Sequence, residues 1–253
     1  MKFSDNPWGG DSSIKNIKLK QLVVEDIKSG NRNNQIYNAI EEYMELVKKK
    51  LHNPKSNKIL FTDISDREIE EISQKIEDHI LRQIYKFVYP KIPLKEDIEF
   101  YEKTKCLDWV TPEQLEIKKV YVNQLGFAVM CIRKIDEAKS VFDKLDCIRN
   151  AHTNMNNTIK FSSGKNDDAG QDELTPIFQY IVIKAQPKRI FSDINYIKSF
   201  LDDSCLRGQE GFLVTQMESA ASFISLIDHN HLKLSKEVFE KNMAEAKKRH
   251  QLE

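Results

Sequence analysis

Two adjacent carboxylates stand directly ahead of a dense apolar run, and their placement suggests chemistry more strongly than any other pattern in the chain. Asp172 and Glu173 precede Pro176 in the segment QDELTPIFQYIVIK, residues 171–184. The apolar residues that follow predict a buried element. An acid in the first turn of a helix complements the helix dipole by about 0.3–1 kcal/mol. Taken alone, the pattern therefore favours a helix-stabilising role for Asp172, and a role toward a partner needs further support.

Other spacings that indicate catalysis are absent from the sequence. There is no phosphate-binding G-x-x-x-x-G-K-S/T, no dinucleotide-binding G-x-G-x-x-G and no nucleophile motif G-x-S-x-G. Nothing selects a pair of carboxylates for glycoside hydrolysis. The six histidines show no H-E-x-x-H spacing, and His229 and His231 in a polar segment do not by themselves indicate a metal site. The sequence thus offers no pattern for covalent catalysis, and we predict no bound metal.

The four cysteines predict reduced thiols. None has C-x-x-C spacing and no histidine cluster accompanies them, so packing in or near the core is the interpretation we favour. Free thiols are typical of the cytosol or another reducing compartment. The four are Cys106, Cys131, Cys147 and Cys205.

The composition is that of a helical protein with balanced charge. The 253 residues include only 8 glycines and 7 prolines, too few for the many turns of a sheet-rich fold. Lys and Arg balance Asp and Glu at 39 each, which argues against nucleic acid as a partner. No apolar run approaches the ~18 residues of a transmembrane segment, and no signal peptide opens the chain. We therefore expect membrane recruitment only through flanking regions or partners.

Helix signals occur along most of the chain, where apolar residues recur at helical spacing. Ser65 with Glu68 three positions later forms a capping-box pattern that begins one helix, and Pro90 ends it. Thr111 followed by Pro112 predicts a second helix start. These signals favour an all-α fold.

A Gly-, Ser-, Asn- and Asp-rich segment, residues 161–171, separates the amphipathic helices from a more uniformly apolar C-terminal half. Residues 177–183 alone fit either a buried strand or a helix, and their helical neighbours favour a helix. Residues 212–227 are apolar on nearly every side, which is typical of a helix at the centre of a bundle. Two helical layers that share an interface are therefore expected.

Local signals also predict where the C-terminal elements begin. Ser192 is expected to cap a helix that extends to Leu201. Gly208 and Gly211 are expected to bracket a turn before the last apolar helix. Residues 235–250 predict a charged surface helix.

Four spaced segments of the C-terminal half resemble the vacuolar protein sorting nine (Vps-nine) domain, the catalytic module of guanine nucleotide exchange factors for Rab-five-class GTPases. DELTP at 172–176 resembles the family's D-E-L-L-P entrance, and KAQP at 184–187 resembles its K-A-N-P turn. SDINYI at 192–197 resembles S-N-I-Q-Y-I, and GQEGFLVT at 208–215 resembles G-E-x-x-Y-x-x-T. No single motif is specific, but their order and spacing together are.

The resemblance extends upstream into the helical bundle that precedes this domain in Rabex-five-like members of the family, and it covers about residues 35–240. The upstream segments are IYKFV at 84–88, WVTP at 109–112 and DKLDCI at 143–148. The resemblance implies an N-terminal helical bundle packed against an α-helical Vps-nine-type exchange domain. The expected boundaries are a polar N-terminal segment at 1–30, the bundle at 31–137, the exchange domain at 138–240 and a charged C-terminal helix or tail at 241–253.

By this resemblance the chain is expected to promote GDP release from a Rab-five-class small GTPase, preferentially in its GDP-bound or nucleotide-free form. Asp172 takes the position of the acid that the family inserts into the phosphate and Mg²⁺ site of the GTPase. Pro176, Phe212 and Thr215 take positions on the surface that binds the GTPase. Such an exchange factor makes no covalent bond and needs no cofactor, because Mg²⁺ and GDP or GTP belong to the partner. Its expected location is the cytoplasm, peripheral to early endosomes.

Two departures from the family pattern keep a second interpretation open. Phe212 replaces the usual Tyr, which removes one hydroxyl from the surface that contacts the GTPase. Gln209 replaces the usual Glu, and Glu210 follows one place later, a change expected to shift only a local cap. Because this hydroxyl is missing, the second interpretation is that the chain is a module of the same fold that binds a GTPase with weak or no exchange. A helical enzyme or scaffold unrelated to GTPases is the third alternative.

Overall fold

The computed structural model describes residues 35–52, 65–118, 121, 124–163 and 170–252. Across these ranges the regular structure is helical and no strand occurs, so the predicted all-α fold is confirmed. The polar segment predicted for residues 1–30 lies outside the described residues. The helices are α1 (Gln35–Leu51), α2 (Asp66–Val88), α3 (Lys95–Cys106), α4 (Gly126–Arg133), α5 (Val141–Ser163), α6 (Gln171–Ala185), α7 (Ile190–Phe200), α8 (Asp203–Leu206), α9 (Gln209–Leu226) and α10 (Lys236–His250), with 3₁₀ helices at Pro112–Leu115 and Lys134–Asp136.

Two helices begin where the sequence predicts them, and in each a serine caps the helix start. The Ser65 hydroxyl accepts a hydrogen bond from the Glu68 N–H at 3.3 Å. The Glu68 carboxylate in turn accepts one from the Ser65 N–H at 2.9 Å, which completes the capping box of α2. Ser235 caps α10 by accepting a hydrogen bond from the Val238 N–H at 3.3 Å.

The helix predicted after Thr111 is only a short 3₁₀ helix. The Gln114 side chain accepts a hydrogen bond from the Thr111 N–H at 2.7 Å, as the pattern predicts. The turn nevertheless ends at Glu116, which has a left-handed conformation with φ of 58°. The chain then directs Ile117 into the core, where it is buried. Burial of this side chain therefore accompanies an early end to the helix.

The predicted cap of α7 is wrong. The helix begins at Ile190, and Ser192 lies within its first turn. Its first N–H groups are instead satisfied by Asp97 of α3, whose Oδ1 accepts hydrogen bonds from the N–H of Phe191 at 2.8 Å and of Ser192 at 3.1 Å. The Ser192 hydroxyl donates to Asp97 Oδ2 at 2.5 Å. The cap comes from another helix, so local sequence does not show it.

Gly211 lies inside the first turn of α9, not at the boundary of a turn as predicted. A β-carbon at this position would lie 1.8 Å from the backbone oxygen of Leu206. The glycine therefore permits close contact between α8 and α9, and any larger residue requires the backbone to shift.

We call α1 to α3 the first group of helices and α4 to α10 the second group. The two groups share an interface, because α3 contacts four helices of the second group and α2 contacts α5. The predicted boundary between a bundle and an exchange domain stays a prediction. In the first group α1 packs on α2, and α3 contacts α6, α7, α9 and α10. In the second group α4 packs on α5 and α6, while α9 contacts α5, α6, α7 and α8. The all-round apolar helix α9 is thus covered on several sides. Among the described helices, none has both the length and the apolar character needed to cross a bilayer.

A buried ion pair joins α5 to α7, and a tyrosine at the end of α2 contacts it. The Nζ of Lys144 on α5 is 2.8 Å from Oδ1 of Asp193 on α7, and both side chains are 1% exposed. Tyr89, which follows α2, donates its hydroxyl to the same oxygen at 2.5 Å. Burial raises the pKa of Asp193 to about 6, and the nearby Lys144 opposes this rise. This network connects three helices that are distant in sequence.

Candidate functional site

The carboxylate of Asp172 lies in the first turn of α6, as the sequence predicts. The turn is closed by the Gly170 carbonyl, which accepts hydrogen bonds from the N–H of Glu173 at 3.0 Å and of Leu174 at 3.1 Å. Pro176 has no N–H, so the Asp172 carbonyl lacks its usual helical donor four residues later. The Asp172 side chain is exposed, and no residue in the described part of the chain forms a hydrogen bond or ion pair with it.

The helix behind this acid is buried. Ile177 and Phe178 are each 1% exposed, and Ile181, Val182 and Ile183 are fully buried. Side chains packed in this way hold the helix axis in one direction. Asp172 is therefore an exposed charge at the end of a rigid element.

Glu173 is in a different environment from its neighbour. Its carboxylate forms an ion pair with Lys118, which lies between the 3₁₀ helix at Pro112–Leu115 and α4. Both side chains are partly exposed, so this contact contributes little to stability. The two adjacent acids therefore differ: Glu173 is paired, whereas Asp172 is available to a partner.

Phe212 and Thr215 lie on the first two turns of α9. The Phe212 ring is 45% exposed, so it is not a core residue. The Thr215 side chain is also exposed, and its hydroxyl donates to the Gly211 carbonyl of the same helix at 2.8 Å. An aromatic ring with one open face offers apolar area to a partner.

His152 of α5 joins the two helices that carry the predicted site residues, and the sequence analysis did not identify it. Its ring lies 4.3 Å from the Phe178 ring on α6 and 6.2 Å from the Phe212 ring on α9, measured between centroids. Phe178 is about 9 Å along the axis of α6 from Asp172. The signal for His152 was a single polar residue within an apolar helical stripe.

The environment of His152 keeps its imidazole neutral. The residue is 8% exposed, and its Nε2 has no hydrogen-bond partner among the described residues. Burial disfavours the charged form and lowers the pKa of His152 to about 4. The ring therefore acts as a flat, uncharged surface under Phe212 at physiological pH.

Glu210 does not cap α9, contrary to the expectation for this position. Its carboxylate oxygen Oε1 is instead 3.1 Å from Nη2 of Arg149 on α5. Arg149 also pairs with Asp146, one turn earlier on the same helix. Glu210 thus holds the start of α9 against α5.

Within the described ranges, no cluster of three or more His, Cys, Asp or Glu side chains is suited to a metal ion. The four cysteines are free, in agreement with the predicted reduced thiols. Burial raises the pKa of Cys147 to about 11, which keeps this thiol protonated and weakly nucleophilic near neutral pH.

Comparison with known families assigns the second helical group. Residues 125–229 match the vacuolar sorting protein 9 (VPS9) domain. The chain belongs to the VPS9-domain family. The matched range covers α4 to α9 and includes the four predicted site residues and His152. The family predicted from the four spaced motifs is therefore confirmed, and the match begins ahead of the predicted boundary at residue 138.

Curated relatives align with most of the length of this VPS9-family chain. The Rab5 GDP/GTP exchange factor of Mus musculus is 34% identical over 191 residues, which cover 72% of this chain and 38% of the relative. The human protein of the same name is 31% identical over 219 residues, covering 81% of this chain and 43% of the relative. Vacuolar protein sorting-associated protein 9A of Oryza sativa subsp. japonica is 29% identical over 220 residues, covering 83% and 45%. This chain thus spans less than half the length of each relative.

Proposed function

We propose that this chain is a guanine nucleotide exchange factor that promotes GDP release from a Rab5-class small GTPase. Membership of the VPS9 family and the similarity to relatives named as Rab5 GDP/GTP exchange factors support the proposal. The structural observation that carries it is the exposed carboxylate of Asp172, at the end of a buried helix and with no ion-pair partner among the described residues. An acid held in this way is suited to enter the binding site of another protein.

The proposed mechanism acts on the contacts that hold the nucleotide. Small GTPases bind GDP and GTP mainly through P-loop amides, a lysine and Mg²⁺. A carboxylate that enters this site repels the β-phosphate, disturbs Mg²⁺ coordination and pairs with the lysine that the phosphate leaves. No covalent bond is made or broken. A thousandfold acceleration of release requires a barrier lowered by about 4 kcal/mol.

Each site residue has a separate role in this proposal. Asp172 supplies the charge, and Pro176 with the buried part of α6 sets its angle of approach. Phe212 and Thr215 contact the switch regions of the GTPase beside it. Glu173 is held by Lys118 and is not the inserted acid.

The partner supplies the other components of the reaction. Mg²⁺ and the nucleotide belong to the GTPase, and this chain needs no cofactor of its own. Because binding free energies are coupled reciprocally, a factor that weakens nucleotide binding itself binds best to nucleotide-free GTPase. GDP-bound GTPase is the form on which it acts. The proposed place of action is the cytoplasmic face of early endosomes in endocytic traffic, reached through flanking regions or partners.

A second candidate is a module that binds the GTPase with weak or no exchange. The observation that favours it is that Phe212 lacks the hydroxyl of the tyrosine usual at this position. Release of fluorescent GDP from a panel of Rab GTPases separates the two, since only an exchange factor accelerates release catalytically. Preferential retention of nucleotide-free over GTP-loaded GTPase is expected from both candidates. If no GTPase is bound in either form, both candidates are wrong.

A further inference from the structure

The first turn of α9 is attached to the rest of the chain at three consecutive residues. Glu210 pairs with Arg149 of α5. Gly211 approaches the Leu206 backbone so closely that a β-carbon does not fit. Phe212 follows directly and places its ring beside His152 of α5. A helix start with contacts on three sides has little freedom to rotate or fray.

Arg149 contacts two acids at once. Its Nη2 lies 3.1 Å from Glu210, while its Nη1 contacts Asp146 on its own helix. The planar guanidinium holds both acids in a defined geometry. Glu210, the partner of Arg149 on α9, directly precedes Gly211 and lies two residues before Phe212. The ion pair therefore fixes the helix at the point from which the aromatic ring projects.

His152 supports the same ring from below. Its ring is tilted by 30° to the ring of the buried Phe178 and packs against it, so the core sets its position. The Phe212 ring lies at 58° to it. With more than nine-tenths of its surface covered, His152 has no area to offer a docking protein. Its contribution to the site is the surface on which Phe212 rests.

We propose that Arg149 and His152, three residues apart on α5, are positioning residues of the exchange site, which fix the orientation of Phe212 relative to Asp172. The proposal rests on the proposed function and adds α5 to the helices that determine it. Without these contacts the half-exposed ring has more rotational freedom, and binding must then order it. Ordering a side chain at an interface weakens affinity. We therefore expect the affinity for the GTPase to fall. The maximal rate of GDP release should stay the same, because Asp172 on α6 is unchanged.

A charge-exchange experiment tests the Arg149 contact. GDP release is measured over a range of GTPase concentrations for Arg149→Glu, Glu210→Arg and the double variant, together with thermal melting. Each single variant is expected to raise the half-saturating GTPase concentration by about threefold, the range of a partly exposed ion pair. The maximal rate stays near that of the wild type. The double variant restores the ion pair and the half-saturating concentration.

The chain offers a matched control on the same helix. Lys198 of α7 and Glu218 of α9 form another partly exposed ion pair, with Nζ and Oε1 2.5 Å apart. Glu218 lies roughly 120° around α9 from Phe212. Lys198→Glu and Glu218→Lys are expected to leave the half-saturating concentration unchanged. A shift equal to that of Arg149→Glu would show a general effect of loosening α9 and overturn the proposal.

Two substitutions test His152. His152→Phe keeps a flat ring under Phe212 and is expected to retain the wild-type concentration dependence. His152→Ala removes the support and is expected to raise the half-saturating concentration by about tenfold, the upper range for ordering one side chain. If His152→Phe weakens docking as much as His152→Ala at an unchanged melting temperature, the imidazole nitrogen contacts the partner directly and the positioning role is wrong. If His152→Ala fails to fold, the charge-exchange experiment at Arg149 and Glu210 tests the positioning role instead.

The outcomes separate the two proposals. If the wild-type chain accelerates GDP release from no GTPase, the proposed function is wrong, and so is the positioning role that depends on it. If the wild type is active and the Arg149 and Glu210 variants leave the half-saturating concentration unchanged, only the positioning role is wrong. The same holds if the double variant does not recover. A purely structural defect lowers the maximal rate in proportion to unfolded protein and leaves the half-saturating concentration unchanged, and this result also overturns the proposal.

Discussion

Asp172 and Glu173 are neighbours in one helical turn, yet only Glu173 has an ion-pair partner among the described residues. We expect Asp172→Asn to slow GDP release by about tenfold to a hundredfold, because a hydrogen bond to a charged group contributes about 1.5–3 kcal/mol. The substitution keeps the shape and the capping ability of the side chain and removes its charge. The measurement is fluorescent GDP release, with thermal melting expected to change little.

Glu173→Gln is the matched control for this prediction. It removes the neighbouring charge and the contact with Lys118, a partly exposed pair that contributes about 0–1 kcal/mol. Exchange is expected to stay near the wild-type rate. Unaltered GDP release by Asp172→Asn would leave that residue with a helix-stabilising role only.

The half-exposed ring of Phe212 leads to opposite expectations for two substitutions. Phe212→Tyr adds a hydroxyl at a position open to water, so it is expected to leave stability unchanged and to alter exchange by at most about tenfold, the limit for one neutral hydrogen bond. Phe212→Ala removes the ring that supplies the apolar area, and exchange is expected to fall severely. GDP release and melting temperature on both variants check this. A Phe212→Tyr protein that melts several degrees lower would contradict the surface role.

His152 predicts a dependence of stability on pH. Its pKa is lowered to about 4 in the folded chain by burial, whereas the unfolded chain has the ordinary value of about 6.5. The unfolded state therefore binds more protons between these values, and stability falls as pH decreases from about 6.5 to about 4, by up to about 3 kcal/mol. His152→Phe is expected to flatten this part of the curve in urea unfolding. An unchanged pH profile would show that other groups cause it.

At the scale of elements, α7 depends on a cap supplied by α3. Asp97 is fully buried and accepts hydrogen bonds from the first turn of α7. Asp97→Ala leaves those buried N–H groups without an acceptor, so it is expected to lower the free energy of unfolding by about 2–3 kcal/mol. Urea unfolding measures the loss. Ser235→Ala at the exposed cap of α10 is the control and is expected to cost about 0.5–1 kcal/mol; an equal loss in both variants would contradict the role of burial.

At the scale of the molecule, the buried pair of Lys144 and Asp193 links α5 to α7, and the Tyr89 hydroxyl on Asp193 links both to the end of α2. Lys144→Met removes the group that opposes the rise in the Asp193 pKa. Asp193 is then buried as an isolated charge or must take up a proton, which is expected to destabilise the chain by about 3–5 kcal/mol and to lower its melting temperature by about 10 °C. Adding Asp193→Asn removes the isolated charge and keeps an acceptor for Tyr89, so much of the stability is expected to return. Hydrogen exchange of both groups should change together. Two separate unfolding transitions would show that the groups are independent.

The sequence by itself determined the features that depend on neighbours along the chain. Helical periodicity predicted the correct fold class, and the capping box of Ser65 and the charged segment from residue 235 predicted two helix starts. The order and spacing of four short motifs identified the VPS9 family. The position of Asp172 in the first turn of a buried helix also followed from the local pattern, because a helix start needs only the few residues around it.

Only the tertiary structure decided which distant residues meet. Asp97 caps a helix whose first turn lies 94 residues later, and Glu210 pairs with Arg149 61 residues before it. His152 is a polar residue within an apolar stripe at helical spacing, and that pattern does not show that Phe178 and Phe212 both lie beside it. Contacts of this kind depend on the packing angle and register of whole helices, which arise from many side chains together. The local sequence around each of these residues therefore does not predict its partner.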